Sequence, residues 1–308
     1  MARHAFDCPL RWFDMDAAGH IDNVAYLRYL EEARIDALAV HPLRRGAEGL
    51  GWAVIAEMDI EYLKPLAYRA APIRIEAWVT RIGTSSFGLG HRFFDGDTLH
   101  ARAQATLVPP DPATLRSRPL REEERAALEA LADDQPGMSP WEESPAGTAP
   151  ESVHLRRHIH HCQLRLSDMG GGHINNAVYV TYLEEARLAM FDAVAPGRRA
   201  AFLGGVVVAR HRIRYHAGLV FRPEPVRIES WIGRVGRSSF TVEHEIRDDD
   251  VLYCHASSVI VMFDARTGRS RPLRLAERAA LKVLLDPVAT PGRGRRVRTI
   301  GHADALPG

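Results

Sequence analysis

The chain has 308 residues, 46% hydrophobic and 26% charged, with 40 Lys plus Arg against 39 Asp plus Glu for a formal charge of +1. That profile fits a globular chain of about two domains and excludes a disordered, collagen-like or disulfide-rich one. A near-neutral total also supplies no global field that would recruit nucleic acid or an anionic membrane, so neither is expected as a partner. The longest strongly apolar stretch, residues 202–209, falls far short of the roughly 20 residues needed to span a bilayer. The opening MARHAFDCPLRW lacks an apolar h-region. Three cysteines, Cys8, Cys162 and Cys254, are an odd number, so free thiols in a reducing cytoplasm are the expectation.

In chain order, residues 6–13 read as an opening strand. Asn23 is a good N-cap, and Tyr26, Leu27, Leu30, Ala33, Ala37 and Leu38 then recur at three- and four-residue spacing. This predicts a helix of about four turns with one apolar face. Residues 53–62, 73–81, 86–94 and 100–108 alternate or are rich in β-branched and aromatic residues, and so predict four strands. Arg-Ile-Gly at 81–83 and Asp-Gly-Asp at 95–97 mark hairpin turns. Residues 122–131 close the set as an amphipathic helix.

The same order is then written a second time. GHIDNVAYLRYLEEAR at Gly19–Arg34 recurs as GHINNAVYVTYLEEAR at Gly172–Arg187, an offset of 153 residues. That offset also relates IRIEAWV to VRIESWI, RIGTSSF to RVGRSSF, SRPL to SRPL and ERAAL to ERAAL. A constant offset over so long a stretch means two copies of one domain. Upstream of the glycine the register slips by one, so the second copy is one residue shorter between Arg165 and Gly172. The boundaries read as domain one over 1–133, a Pro-, Gly- and Ser-rich linker over 134–151, domain two over 152–286 and a disordered tail over 287–308. One helix against a five-stranded antiparallel sheet is an α+β architecture. Its exposed edges would be covered if the two copies paired as an intramolecular pseudo-dimer, and further self-assembly of that pair is compatible with the sequence.

The run Asp-x-Asp-x-x-Gly-His-x-x-Asn-x-x-Tyr, from Asp14 to Tyr26 and on into Glu-Glu-Ala-Arg, resembles the hotdog-fold acyl-thioesterases. The likeness is to the 4-hydroxybenzoyl-CoA thioesterase-like branch, with kinship to acyl-carrier-protein thioesterases that carry two hotdogs per chain. It covers nearly all of both copies. It implies two fused hotdog domains, each a sheet wrapped around a long central helix, with active sites where hotdogs meet. It further implies hydrolysis of acyl-CoA or acyl-ACP, a place in fatty acid metabolism, and no cofactor beyond coenzyme A as part of the substrate. The family's carboxylate, three residues before the glycine, corresponds to Asp16. In copy two that position is Gly170, and Asp168, aligned with Asp14, is the remaining acid that could swing in as a substitute.

The residues point the same way. An unperturbed Asp is ionised at neutral pH and can serve as nucleophile or as general base on water. Gly19 and His20 precede a capped helix, where free N–H groups and the helix dipole would stabilise a developing oxyanion. His20 and His173 could instead make structural hydrogen bonds, Asn23 and Asn176 read chiefly as caps, and Glu32 and Glu185 are second choices for a catalytic acid. At the RIGTSSF and RVGRSSF turns, Arg81, Thr84 and Ser85, and Arg234, Arg237 and Ser238, correspond to a coenzyme A-contacting region of the family. Arginine suits phosphate because its planar fork donates two hydrogen bonds.

His154, His158, His160, His161 and Cys162 crowd the start of copy two, but copy one offers only His4 and Cys8 nearby. A polar edge strand, with no metal, is therefore the expectation. Two other functions stay open. One is a hotdog enoyl-thioester hydratase or dehydratase using Asp16 with His20. The other is a non-catalytic acyl-CoA binding module, which the loss of the acid in one copy would permit.

Overall fold

The computed structural model describes residues 3–16, 19–40, 53–111, 116–135, 137–138, 157–170, 172–197, 205–264 and 266–286. They form two compact units that divide between Ser139 and Pro140. Most of the 134–151 linker and all of the 287–308 tail lie outside the described residues, as does His154.

Unit 1 runs β1 (His4–Cys8), a 3-10 turn at Trp12–Asp14, α1 (Asn23–Val40), β2 (Val54–Tyr62), β3 (Ile73–Ile82), β4 (Phe87–Asp95), β5 (Thr98–Val108) and α2 (Glu122–Ala130). The strands pair antiparallel in the order β1-β3-β4-β5-β2. β1 stops at Cys8, short of the predicted residue 13, because Pro9 has no N–H to give the ladder. Every second residue of β3, β4 and β5 is buried: Ile73, Ile75 and Ala77, then Phe87, Leu89, His91 and Phe93, then Ala101, Ala103, Ala105 and Leu107. On α1, which packs on β1 and β3, Leu27, Leu30, Ala33 and Ala37 complete the core at helical spacing.

Unit 2 repeats these elements in the same order and adds three two-residue strands. It runs β6 (His158–Cys162), a 3-10 turn at Leu166–Asp168, the two-residue strands β7 (Met169–Gly170) and β8 (His173–Ile174), α3 (Asn176–Val194), β9 (Val206–Tyr215), β10 (Val226–Val235), β11 (Ser239–Arg247), β12 (Leu252–Asp264), β13 (Arg269–Ser270) and α4 (Leu275–Lys282). Its sheet order is β6-β10-β11-β12-β9, with β13 on β12. Phe191 of α3 meets Phe240 of β11 edge-on at 5.9 Å between centroids, inside a core that Leu281 of α4 closes. Full burial of each such side chain stabilises the unit by about 1.5–3 kcal/mol.

The repeated SRPL and ERAAL segments have a joint purpose. Arg118 donates to both carboxylate oxygens of Glu124 at 2.8 and 2.6 Å, and Arg271 does the same to Glu277 at 2.9 and 2.7 Å. Each Glu also accepts the N–H of the residue three before it, Arg121 or Arg274, at the helix start. Burial pushes the Glu124 carboxyl up, but Arg118 and the Arg121 N–H outweigh it and hold the group below the usual range. For Glu277 the Arg271 fork is the largest influence, again downward. The next residue reaches back to the hairpin turn: Arg125 donates to Gly83 O at 2.7 Å, Arg278 to Gly236 O at 2.8 Å. The closing helix thereby fixes the β3–β4 and β10–β11 turns. Among the described residues, no helix is long and apolar enough to cross a membrane.

Candidate active site

The loop entering α1 is sewn in at both ends. Ile21 N–H donates to Leu66 O at 2.7 Å and Asp22 N–H to Asp14 O at 2.8 Å. Tyr29, at the end of the second turn of α1, donates its hydroxyl to Asp14 Oδ2 at 2.7 Å. Asp22 caps the helix, its Oδ1 accepting from Val24 N–H at 2.7 Å. The cap is therefore Asp22 and not Asn23, which is already the first helical residue. Asn23's carbonyl accepts from the Tyr62 hydroxyl at 2.9 Å.

Asp16 sits within this frame, exposed at its side chain. Its Oδ1 accepts from the His20 N–H at 3.0 Å, its carbonyl from Gly19 N–H at 3.1 Å, and its own N–H donates to His20 O at 2.7 Å. The amides of Gly19 and His20, expected as free oxyanion donors, are thus both engaged by Asp16. The physical reason is that the turn closes on itself: Gly19 takes a φ of +79°, open only to glycine without strain. The structure brings Asp16, Gly19, His20 and the helix tip together, with Asn23 behind the cap.

Unit 2 has the same stitching around a different occupant. Ile174 N–H donates to Leu219 O at 2.7 Å and Asn175 N–H to Asp168 O at 2.9 Å. Tyr182 donates to Asp168 Oδ2 at 2.5 Å, and Arg165 N–H reaches the same oxygen at 3.1 Å. Asp168 is consequently the counterpart of Asp14, its carboxylate held by Tyr182 and the Arg165 N–H and not standing in the place of Asp16. That place is Gly170, paired across the small hairpin with His173. Gly172, at φ +91°, matches Gly19. The cap is Asn175, its Oδ1 accepting from Ala177 N–H at 2.8 Å, and not Asn176, whose Nδ2 is buried with no partner.

The turn residues stand elsewhere. Arg81, Thr84, Arg234 and Arg237 are exposed, and Ser85 and Ser238 are half-buried. Thr84 and Arg237 accept Leu120 N–H and Leu273 N–H at their carbonyls, both at 2.9 Å. Arg81 makes a long 3.4 Å contact to Ser86 Oγ. Because Ile73 lies beside Cys8, the ten residues of β3 separate this turn from the Asp16 loop, roughly 30 Å along an extended strand. Within one unit, the two predicted parts of the site lie at opposite ends of the sheet.

The cysteines offer no nucleophile. All three are free and buried, and burial, with Glu32 or Glu185 nearby, pushes Cys8 and Cys162 up to about 12. Sequence reasoning missed Asp22 as the cap and the tyrosine latches, although Tyr29 and Tyr182 fall at the same place in the repeat.

Residues 10–128 match a family profile described as the thioesterase-like superfamily, and residues 171–255 match the thioesterase superfamily. Among solved structures, a Lactobacillus plantarum protein provisionally assigned as an oleoyl thioesterase is 16% identical, with a TM-score of 0.66 over 85% of this chain and 97% of its own. The 12:0-ACP thioesterase of Umbellularia californica is 13% identical, with a TM-score of 0.61 over 88% and 97%. An acyl-ACP thioesterase of Bacteroides thetaiotaomicron is 14% identical, with a TM-score of 0.58 over 84% and 97%. At such identities these likenesses speak for the fold. No curated protein sequence matches the chain. The two units are thioesterase domains. The chain as a whole belongs to the thioesterase superfamily, as a tandem of two hotdog-type domains.

Proposed function

We propose that the chain hydrolyses an acyl thioester of coenzyme A or an acyl carrier protein, with Asp16 as its working carboxylate. What carries the reading is the exposed Asp16 carboxylate held on the His20 N–H at the approach to α1. Asp16 would take a proton from a water as that water attacks the thioester carbon. The carbon–sulfur bond then breaks, and the departing thiolate recovers the proton from Asp16. Attack by Asp16 itself, through an acyl-enzyme anhydride that water reopens, uses the same atoms. When Asp16 turns to the water, the His20 N–H is released toward the carbonyl oxygen, where negative charge is developing. Catalytic hydrogen bonds commonly rearrange in this way when substrate binds.

Pairing of the two units as a pseudo-dimer belongs to the proposal. It rests on the duplication and on the edge strands each copy carries. The hydratase reading loses support because His20 meets Asp16 through its backbone and not its ring. A release assay for free thiol across acyl-CoAs and acyl-ACPs of graded length tests the proposal. Turnover that vanishes in Asp16→Asn, at unchanged far-UV circular dichroism, supports it; wild-type turnover in that variant removes it.

A further inference from the structure

β6 lies at the edge of the sheet in unit 2 and alternates its side chains, so that His158, His160 and Cys162 share one face. α3 packs on that strand. A ring nitrogen of His160, the Cys162 sulfur and a carboxylate oxygen of Glu185 lie within 4.8 Å of one another. Among the described residues, neither the His160 ring nor the Glu185 carboxylate has a hydrogen-bond or ion-pair partner. The sequence expectation of a plain polar edge counted ligands along β6 alone; Glu185 arrives from the helix.

Unit 1 is a built-in control. Its matching residues are Phe6, Cys8 and Glu32, so thiol and acid are present and the imidazole is not. The strand's first histidine differs as well. His4 contacts Asp36 at 2.6 Å, whereas unit 2 carries Ala189 in place of Asp36, and the Nδ1 of His158 is buried without a partner. The second copy has exchanged a histidine–aspartate contact at this edge for ring nitrogens without that partner.

We propose that His160, Cys162 and Glu185 bind one zinc-type divalent cation. A nitrogen, sulfur and oxygen set suits borderline-soft zinc or cobalt and not magnesium or calcium, which take oxygen ligands. Bonds of roughly 2.0–2.3 Å at tetrahedral angles put donors about 3.5 Å apart. The cluster therefore needs to contract by about 1 Å, well within reach of the exposed Glu185 side chain. Three protein ligands leave a fourth position for water or an added ligand. Binding forms a metal–thiolate bond and sends the Cys162 proton to solvent. The ion would tie the edge strand to the central helix of unit 2.

The test is titration of the intact chain with Co(II). One equivalent per chain should produce a thiolate-to-cobalt charge-transfer band with tetrahedral d–d absorption, and excess zinc should bleach both. Cys162→Ser should abolish the band, and Cys8→Ser should leave it intact. His160→Phe installs the residue unit 1 already tolerates and should weaken binding more than about 100-fold, beyond the loss from removing even an outer-shell partner. Should that variant fail to fold, Glu185→Gln carries the same expectation. His161 is exposed and points to the opposite face, so His161→Ala should titrate like the wild type. Absence of the charge-transfer band overturns the site. A loss in His161→Ala equal to that in His160→Phe overturns it too, by assigning the metal to surface histidines.

Discussion

The loop from Asp14 to Asp22 and the loop from Asp168 to Asn175 are one scaffold built twice. Both carry the tyrosine latch, the backbone bond from the cap residue to the latch aspartate, the left-handed glycine and a side-chain cap. They differ in one residue of length, in the cap (Asp22 against Asn175) and in Gly170 standing for Asp16. Unit 2 thus assembles the whole frame with no acid at that position. A carboxylate the frame does not need for folding is free for chemistry, which is the physical ground for reading Asp16 as functional. By the same comparison, Asp14 and Asp168, present in both frames, belong to folding.

The sharpest way to break this contrast is at Asp16. Asp16→Asn should lower kcat for thioester hydrolysis by about 10²–10⁴-fold, the range of a lost general base, with the melting temperature unchanged. A variant that loses stability and activity together would make Asp16 a frame residue after all. Gly170→Asp, combined with Asp16→Asn, should restore no turnover in the same thiol-release assay. A Cβ at 170 meets the Asn175 side chain at 3.3 Å, and the loop there is a residue shorter.

The buried layers beneath the helices give the next largest effect. Unit 1 buries His91 with both ring nitrogens unpartnered; burial, then the charge of Arg34, lowers it to about 3. Unit 2 buries three, His211, His244 and His255, and the first two face serines. His211 Nδ1 lies 2.8 Å from Ser258 Oγ, and His244 Nδ1 lies 2.8 Å from Ser230 Oγ. Burial, then Arg187, lowers His211 to about 3 and takes His244 well down as well. Each group binds its proton more readily unfolded, so the folded state loses stability as pH falls below about 6.5 and on toward 3. Each contributes about 1.4 kcal/mol per pH unit across that window, so unit 2 should be the more acid-labile. Replacing His211→Met with Ser258→Ala installs the pair that unit 1 has at Met58 and Ala105. Urea unfolding of this variant between pH 6.5 and 4 should show a slope reduced by one proton.

The latch comes third. Asp168→Asn should cost about 1.5–3 kcal/mol, the worth of hydrogen bonds to a charged group, and leave hydrolysis at the wild-type rate. Thermal unfolding and the thiol-release assay together check it. A large fall in kcat with stability intact would return Asp168 to the catalytic set.

How much of this was legible beforehand follows from the range of the interactions. The strands, both hairpins and the closing helix were readable because period-two burial and Gly-containing turns are local. The helix start was misplaced by one residue. Asp22 and Asn23 are both good cap residues, and the choice between them is made by Asp22's bond back to Asp14. The repeat aligned Asp168 with Asp14 correctly. What the sequence alone could not exclude was a swing of Asp168, since that depends on Tyr182, fourteen residues away. Glu185 was invisible as a partner of His160 and Cys162 for the same reason, because strand and helix meet only in the folded unit.

The smallest expected effect concerns the two turns, which α2 and α4 hold alike through Arg125 and Arg278. Their difference is Thr84 against Arg237, both exposed, with the Arg237 guanidinium making no hydrogen bond or ion pair among the described residues. If the turn of unit 2 meets the phosphates of a coenzyme A substrate, Arg237→Thr should raise KM about two- to fivefold and leave kcat alone. An exposed charge contact of this kind contributes about 1 kcal/mol or less and fades with salt, so the change should shrink as ionic strength rises. Acyl-ACP substrates provide the contrast, because the carrier protein presents a surface of its own to a turn with or without the arginine. A KM that rises for neither carrier would leave Arg237 as a solvated hairpin residue and confine recognition to the Asp16 end of the sheet.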